Sequence, residues 1–159
     1  MIRELLNFKV SLLIIILLIV SCGPKLTDEN KIFHAGPNES GFGGTFFSLY
    51  KDNYYKFCDG DFMNPGCYSG KYKLNGDTLT LEDLKLNDHV NNNRFIIYRL
   101  SEQDSLYFKN KYPKATNWRE SKESDSLRGS EGDVYELDKN NVPRTNVNYW
   151  YVIRLDKLK

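Results

Sequence analysis

Apolar residues fall along this chain in two regimes. From Val10 to Val20 they form one run, interrupted only by Ser11. After Gly41-Phe42-Gly43-Gly44 they recur in short stretches that alternate with polar residues, the period of a half-buried strand. Thr45–Tyr50 is rich in strand formers, Lys51-Asp52-Asn53 reads as a turn, and Tyr54–Cys58 runs back. Alternation lets Phe47 share a face with Leu49, and Tyr55 share a face with Phe57. Asp59–Gly66 reads as a loop. In Tyr68–Leu74, positions Tyr68, Gly70, Tyr72 and Leu74 share a side opposite Ser69, Lys71 and Lys73.

Asn75-Gly76 then separates this strand from Asp77–Leu81, a two-residue hairpin signal whose residues tolerate positive φ. Arg94–Leu100 is a further predicted strand, with Ser105–Lys109 expected to pair with it. Tyr112 to Asp133 is polar, and within it Asn117–Ser124 reads as one short helix or as loop. Val134–Leu137 is a short strand and Val147–Leu155 a long closing one, with Tyr149, Tyr151 and Ile153 on one face and Trp150 and Val152 on the other. No long amphipathic helix follows the N-terminal run, and no repeat of fixed period is evident. The expected fold is mostly all-β: a small antiparallel β-barrel or sandwich built from hairpins, with at most one short helix.

The N-terminal run decides the domain boundaries. Arg3 and Lys9 precede it, and Ser21-Cys22-Gly23-Pro24 ends it. It is shorter than the ~20 apolar residues that span a bilayer, so it reads as the apolar core of an export signal. Ile19-Val20-Ser21-Cys22 resembles the bacterial lipobox. That resemblance implies a diacylglycerol on the Cys22 sulfur, cleavage before Cys22, and acylation of the new amino group. Two or more acyl chains make a stable anchor where one binds marginally. The expected organisation is a signal peptide at 1–21, a polar tether at 22–31 and a single β domain at 32–159. Asp28-Glu29, soon after Cys22, resemble a surface-export signal of Bacteroidota lipoproteins, and a solvated linker explains the same charges. The segment from Gly44 to Leu81 resembles the small lipocalin-like lipoproteins of Bacteroidota, through Gly44–Phe57 and Gly70–Leu81.

Charge narrows the partners. Removing Arg3, Lys9 and Glu4 with the leader turns 22 basic and 21 acidic residues into 20 of each. A neutral chain with interleaved charges has no bulk field to draw in nucleic acid, so none is expected as a partner. The other two cysteines, Cys58 and Cys67, form an even pair in an exported chain, and a disulfide is the natural inference.

Candidate chemistry is sparse. His34 and His89 are far apart and lack ligand spacing, so each reads as a surface or loop histidine. Asp59, Asp61 and Asn64 supply oxygens that calcium could use, but the twelve-residue calcium-loop pattern is missing and these are ordinary turn residues. No G-x-S-x-G occurs, and no Ser or Cys is placed beside a base that would activate it as a nucleophile. Asp77-Thr78-Leu79, Asp104-Ser105-Leu106 and Asp125-Ser126-Leu127 resemble the Bacteroidota O-glycosylation acceptor, which would place glycans on Thr78, Ser105 and Ser126. Polar turn exits explain the same tripeptides.

The expected role is a non-catalytic binding domain, lipid-anchored in the cell envelope at the outer membrane, on its periplasmic face or the cell surface. The membrane is reached through lipid on Cys22. The other partner is an envelope protein, a glycan or a small apolar ligand, and no cofactor is expected. A lipocalin-like carrier is the alternative, and an envelope hydrolase the third reading.

Overall fold

The computed structural model describes residues 26–37, 45–59, 66–86, 90–119, 130–145 and 151–158. Eight strands close into one antiparallel barrel in sequence order. They are β1 (Lys31–Pro37), β2 (Phe46–Tyr50), β3 (Tyr54–Asp59), β4 (Gly66–Asn75), β5 (Thr78–Leu81), β6 (Arg94–Arg99), β7 (Gly132–Glu136) and β8 (Tyr151–Asp156). β8 returns to pair with β1, so among the described strands the sheet has no open edge strand. The mostly β expectation holds, and of its two architectures the chain takes the barrel.

Two hairpins follow from local pattern. In β2–β3, Phe47 pairs with Phe57 and Leu49 with Tyr55, which stacks two apolar pairs on the inner face. Asp52 and Asn53 both take left-handed φ, 64° and 62°, which Asp and Asn tolerate better than other side-chain-bearing residues. In β4–β5 the turn falls one residue later than Asn75-Gly76 suggests. Asn75 pairs with Thr78, so Gly76 and Asp77 form the turn. Gly76 holds φ +58° at the first turn position, a conformation that glycine adopts without steric cost.

One predicted strand is a helix. Ser105–Lys109 lies within α1 (Glu102–Lys111). The place beside β6 is taken by β7, from Phe95↔Glu136 to Arg99↔Gly132, so no backbone ladder remains for it. The helix instead turns Phe108 onto the outer wall of the barrel. Asn117–Arg119 are not helical, and the rest of that predicted helix lies outside the described residues. Among the described residues before β1 there is one 3-10 turn, at Asp28–Asn30, and Lys31 opens β1, a strand the alternation pattern did not reveal.

The apolar residues form two bodies. Phe33, Phe47, Leu49, Tyr55, Phe57, Leu79, Leu81, Phe95, Ile97, Val134 and Ile153 fill the barrel. Outside it, Ile96, Tyr98, Tyr135 and Leu137 meet Phe108, Ala115 and Trp118 from the α1 connection. β6 is thus buried on both faces, which explains why Phe95-Ile96-Ile97-Tyr98 is apolar without alternation. Gly132 sits in this wall, where a Cβ would lie 2.1 Å from the Tyr98 carbonyl oxygen.

Strand direction sorts the connections between two ends. The start of β1, the turns at 51–53 and 76–77, the α1 connection and the C-terminus share one end, called the lower end here. At the opposite, upper end β1, β3, β5 and β7 finish and β2, β4, β6 and β8 begin.

Candidate functional site

The lumen is the first place to look for a ligand, and it is occupied by the protein's own rings. Phe47 on β2 contacts Phe33, Phe57, Phe95 and Tyr151, with ring centroids 5.9, 6.5, 5.7 and 5.3 Å away. β2 and β6 stand opposite each other in an eight-stranded barrel, so the Phe47–Phe95 contact spans it. Both residues are fully buried. Small eight-stranded barrels have interiors just wide enough for side chains to fill, and this one is filled at its middle.

Toward the upper end, residues 82–86 and 90–93, between β5 and β6, close over the lumen. Leu84 and Val90 join the inner core from above. Backbone and side-chain bonds hold this strap down. Glu82 N–H donates to the Lys71 carbonyl at 2.8 Å, and Tyr55 Oη donates to the Glu82 carbonyl at 2.7 Å. Asn92 and Asn93 side-chain amides donate to the Leu137 and Leu81 carbonyls at 2.9 and 3.1 Å. Burial of Tyr55 raises its pKa above the ordinary phenol value. Gly70 makes room for this arrangement, since a Cβ there would lie 2.8 Å from both the Tyr55 ring and the Glu82 carbonyl oxygen.

Three polar clusters lie outside the lumen. On the β1–β2 wall, His34 Nδ1 stands 2.9 Å from Ser48 Oγ, and the Phe46 ring packs edge-on against the imidazole. Burial first, then the Lys31 charge, holds the His34 pKa below its ordinary value. A serine beside a histidine invites a nucleophile reading. Ser48 is only 3% exposed, however, and the nearby Asp28 carboxylate pairs with Lys31 at 2.6 Å, so the geometry describes a packed wall.

Under α1, Arg119 grips Asp133. Its Nε and Nη2 reach the carboxylate at 2.8 and 2.7 Å, and Nη2 also donates to Ser130 Oγ and the Gly132 carbonyl. Tyr135 Oη donates to Asp133 at 3.0 Å, and Tyr98 Oη to the Arg119 carbonyl at 3.0 Å. Burial and the Asp133 charge push the Tyr135 pKa far above its ordinary value. Asp133 is fully buried, so its charge is tolerated only because these donors surround it. At the lower end, Arg99 Nε donates to the buried Asp156 carboxylate at 2.6 Å, with Asp77 3.7 Å from Nη1.

Compared with family models, curated proteins and solved structures, the chain matches none of them. Its functional reading therefore rests on its own residues.

Of the residues singled out in the sequence, Cys58 and Cys67 are directly paired across β3 and β4 and joined by a disulfide. Asp59 ends β3, and its carboxylate accepts a hydrogen bond from Thr45 Oγ1 at 2.6 Å. Asp61, Asn64, Cys22, Ser126, His89, Tyr149 and Trp150 lie outside the described residues. Among the described residues no group of three or more His, Cys, Asp or Glu is placed to hold a metal ion. Thr78 opens β5, and Ser105 lies in α1, where its N–H donates to the Ser101 carbonyl. His34 is a half-buried residue on the outer wall of β1 and not in a loop. Tyr151 and Ile153 face the lumen together, as the shared-face expectation for the last strand has it.

The sequence reading missed the Arg119–Asp133 clamp and the strap. Arg119 and Asp133 are 14 positions apart, and no short motif joins them. For the strap, Leu84, Leu86 and Val90 are the apolar residues of an otherwise polar stretch, which is the one cue available.

Proposed function

We propose that this protein is a lipid-anchored envelope protein whose barrel is a non-catalytic binding domain, meeting its partner with its outer surface and end connections. The observation that carries the second half is the Phe47–Phe95 contact across the lumen. A barrel filled by its own side chains leaves the exterior to do the recognising. The first half rests on Ile19-Val20-Ser21-Cys22 after an apolar run. The disulfide fits an oxidising compartment, where such bonds persist. The anchor would be lipid on Cys22, at the outer membrane. The partner would be an envelope protein or glycan.

A lipocalin-like carrier is the second reading, favoured by the closed eight-stranded barrel itself. Its ligand would be small and apolar and would have to displace Leu84 and Val90 from the upper mouth. Two measurements separate these readings. Metabolic labelling with radioactive palmitate should mark the wild-type protein and not Cys22→Ala, which should remain an uncut precursor. A normally processed, membrane-bound Cys22→Ala protein would sink the anchor. Solvent extraction of the purified native protein should release no stoichiometric lipid, because covalent acyl chains stay on the polypeptide. A stoichiometric free apolar molecule would favour the carrier.

A further inference from the structure

Four large apolar side chains are exposed among the described residues: Leu74, Leu86, Leu106 and Tyr107. Three of them belong to the lower end. Leu74 is the next-to-last residue of β4, and Leu106 and Tyr107 lie on α1, in the connection that leaves β6 at that end. Only Leu86 belongs to the upper end. The chain also enters the barrel at the lower end, through Lys31. Cys22 stands nine residues before Lys31, a reach of at most ~30 Å.

The α1 patch has mixed chemistry. Phe108 faces the barrel and is 1% exposed, so packing of the helix turns Leu106 and Tyr107 outward, at 64% and 47% exposure. Lys109, Lys111 and Lys114 are exposed around them. Lys111 Nζ donates to Tyr107 Oη at 2.8 Å and also lies over the Tyr107 ring. A leucine, a tyrosine and several lysines on one short surface match the layers of a bilayer interface. Leucine suits the acyl boundary, tyrosine the headgroup level, and lysine the anionic phosphates.

We propose that the barrel rests on the membrane by its lower end, with Leu106 and Tyr107 of α1 entering the interface and Lys109, Lys111 and Lys114 meeting anionic lipid headgroups. This rests on the lipid-anchor reading, which brings the lower end to the bilayer and supplies most of the binding energy. The patch supplies orientation. It directs the strap and the other upper connections away from the membrane, toward the partner. A glycan on Ser105 would stand beside Leu106 and hold this surface off the bilayer.

The test uses the acylated product beginning at Cys22, reconstituted into phosphatidylethanolamine/phosphatidylglycerol vesicles with brominated acyl chains. Bromine quenches tryptophan only at close range. Two single-tryptophan additions at exposed positions are compared with wild type: Tyr107→Trp at the lower end and Leu86→Trp at the upper end. The added Tyr107→Trp fluorescence should be quenched more than ~2-fold over that of Leu86→Trp, as burial ~5–10 Å into the interface requires. Leu106→Asp in the Tyr107→Trp background should reduce that quenching while the protein still floats with the vesicles. Flotation with equal quenching at both ends would overturn the docking and leave the anchor standing. A protein that does not float overturns the anchor reading and the docking with it.

Discussion

Phe47 and Phe95 meet across the barrel with ring centroids 5.7 Å apart, each fully buried. They sit on opposite strands, so one ring pair joins two walls and closes the lumen between them. Truncating the more central ring should open a cavity as well as remove buried surface. Phe47→Ala is expected to cost ~3–5 kcal/mol, read from urea unfolding midpoints. The same variant should acquire binding of a small apolar dye that wild type lacks. A variant that loses stability without gaining dye binding would mean that the walls collapse into the gap.

The Arg119–Asp133 clamp is a buried charge pair, and its partners should be interdependent. Removing Arg119 alone strands a buried carboxylate. Arg119→Met should therefore cost ~3–5 kcal/mol, and Arg119→Met with Asp133→Leu much less than the sum of the two single changes. Chemical denaturation of the four proteins in the cycle checks this. Additive losses would show that the pair does not act as a unit.

Glycine positions separate backbone contact from open space. Gly132→Ala would drive a Cβ into the Tyr98 carbonyl oxygen and the Arg99 Cα, 2.1 and 2.8 Å away, and no side-chain rotation relieves that. At Gly36 a Cβ meets nothing within 4 Å. Gly132→Ala should unfold the β6–β7 seam and lower the melting temperature markedly. Gly36→Ala should stay within about 0.5–1 kcal/mol of wild type, as a substitution free of steric conflict does.

His34 should make the fold acid-sensitive. Its pKa is held below the ordinary 6.5 by burial and by Lys31, so the folded state prefers the neutral ring. The stability this provides is complete above the unfolded-state value and is lost as pH falls through the lower folded value. Lys31 and Arg154 oppose protonation, while Asp28 favours it weakly. Wild type should lose stability between pH 7 and the folded His34 pKa, and His34→Gln should lose less over the same interval. Equal slopes for the two proteins would remove His34 from the account.

Much of the barrel was legible, and the reasons it was not elsewhere are physical. Phe47 with Leu49, Tyr55 with Phe57, and Leu79 with Leu81 alternate cleanly because the polar residues Ser48, Lys56 and Thr80 take the outer face between them, and these gave the β2–β5 hairpins. β1 escaped notice because Ile32-Phe33-His34-Ala35-Gly36-Pro37 has few strand formers, and neighbouring β2 and β8 impose its conformation. α1 misled the pattern because Leu106-Tyr107-Phe108 is strand-like in composition. Packing of Phe108 on Tyr98 and Trp118 outweighs that preference. Ser101, followed three residues later by Asp104, with Lys109 and Lys111 in the last turn, was the helix signal present in the sequence. Cys58–Cys67 was inferred from compartment and even count, and the β3–β4 register supplies the geometry that counting could not.

The disulfide joins directly paired strands and closes a short loop, for which the chain-entropy relation gives ~2.5–3 kcal/mol. Cys58→Ser with Cys67→Ser should lower stability by about that amount, measured by urea unfolding without reductant. A free-thiol assay on denatured, unreduced wild type should find neither cysteine reactive.

The proposed lipid on Cys22 is what would tie this ring-filled barrel to a membrane. The most direct measurement is the intact mass of the protein extracted from native membranes. The expected mass is that of a chain beginning at Cys22 and carrying a diacylglycerol and a further acyl group. A chain that retains residues 1–21, or one that begins at Cys22 without added lipid mass, would contradict it.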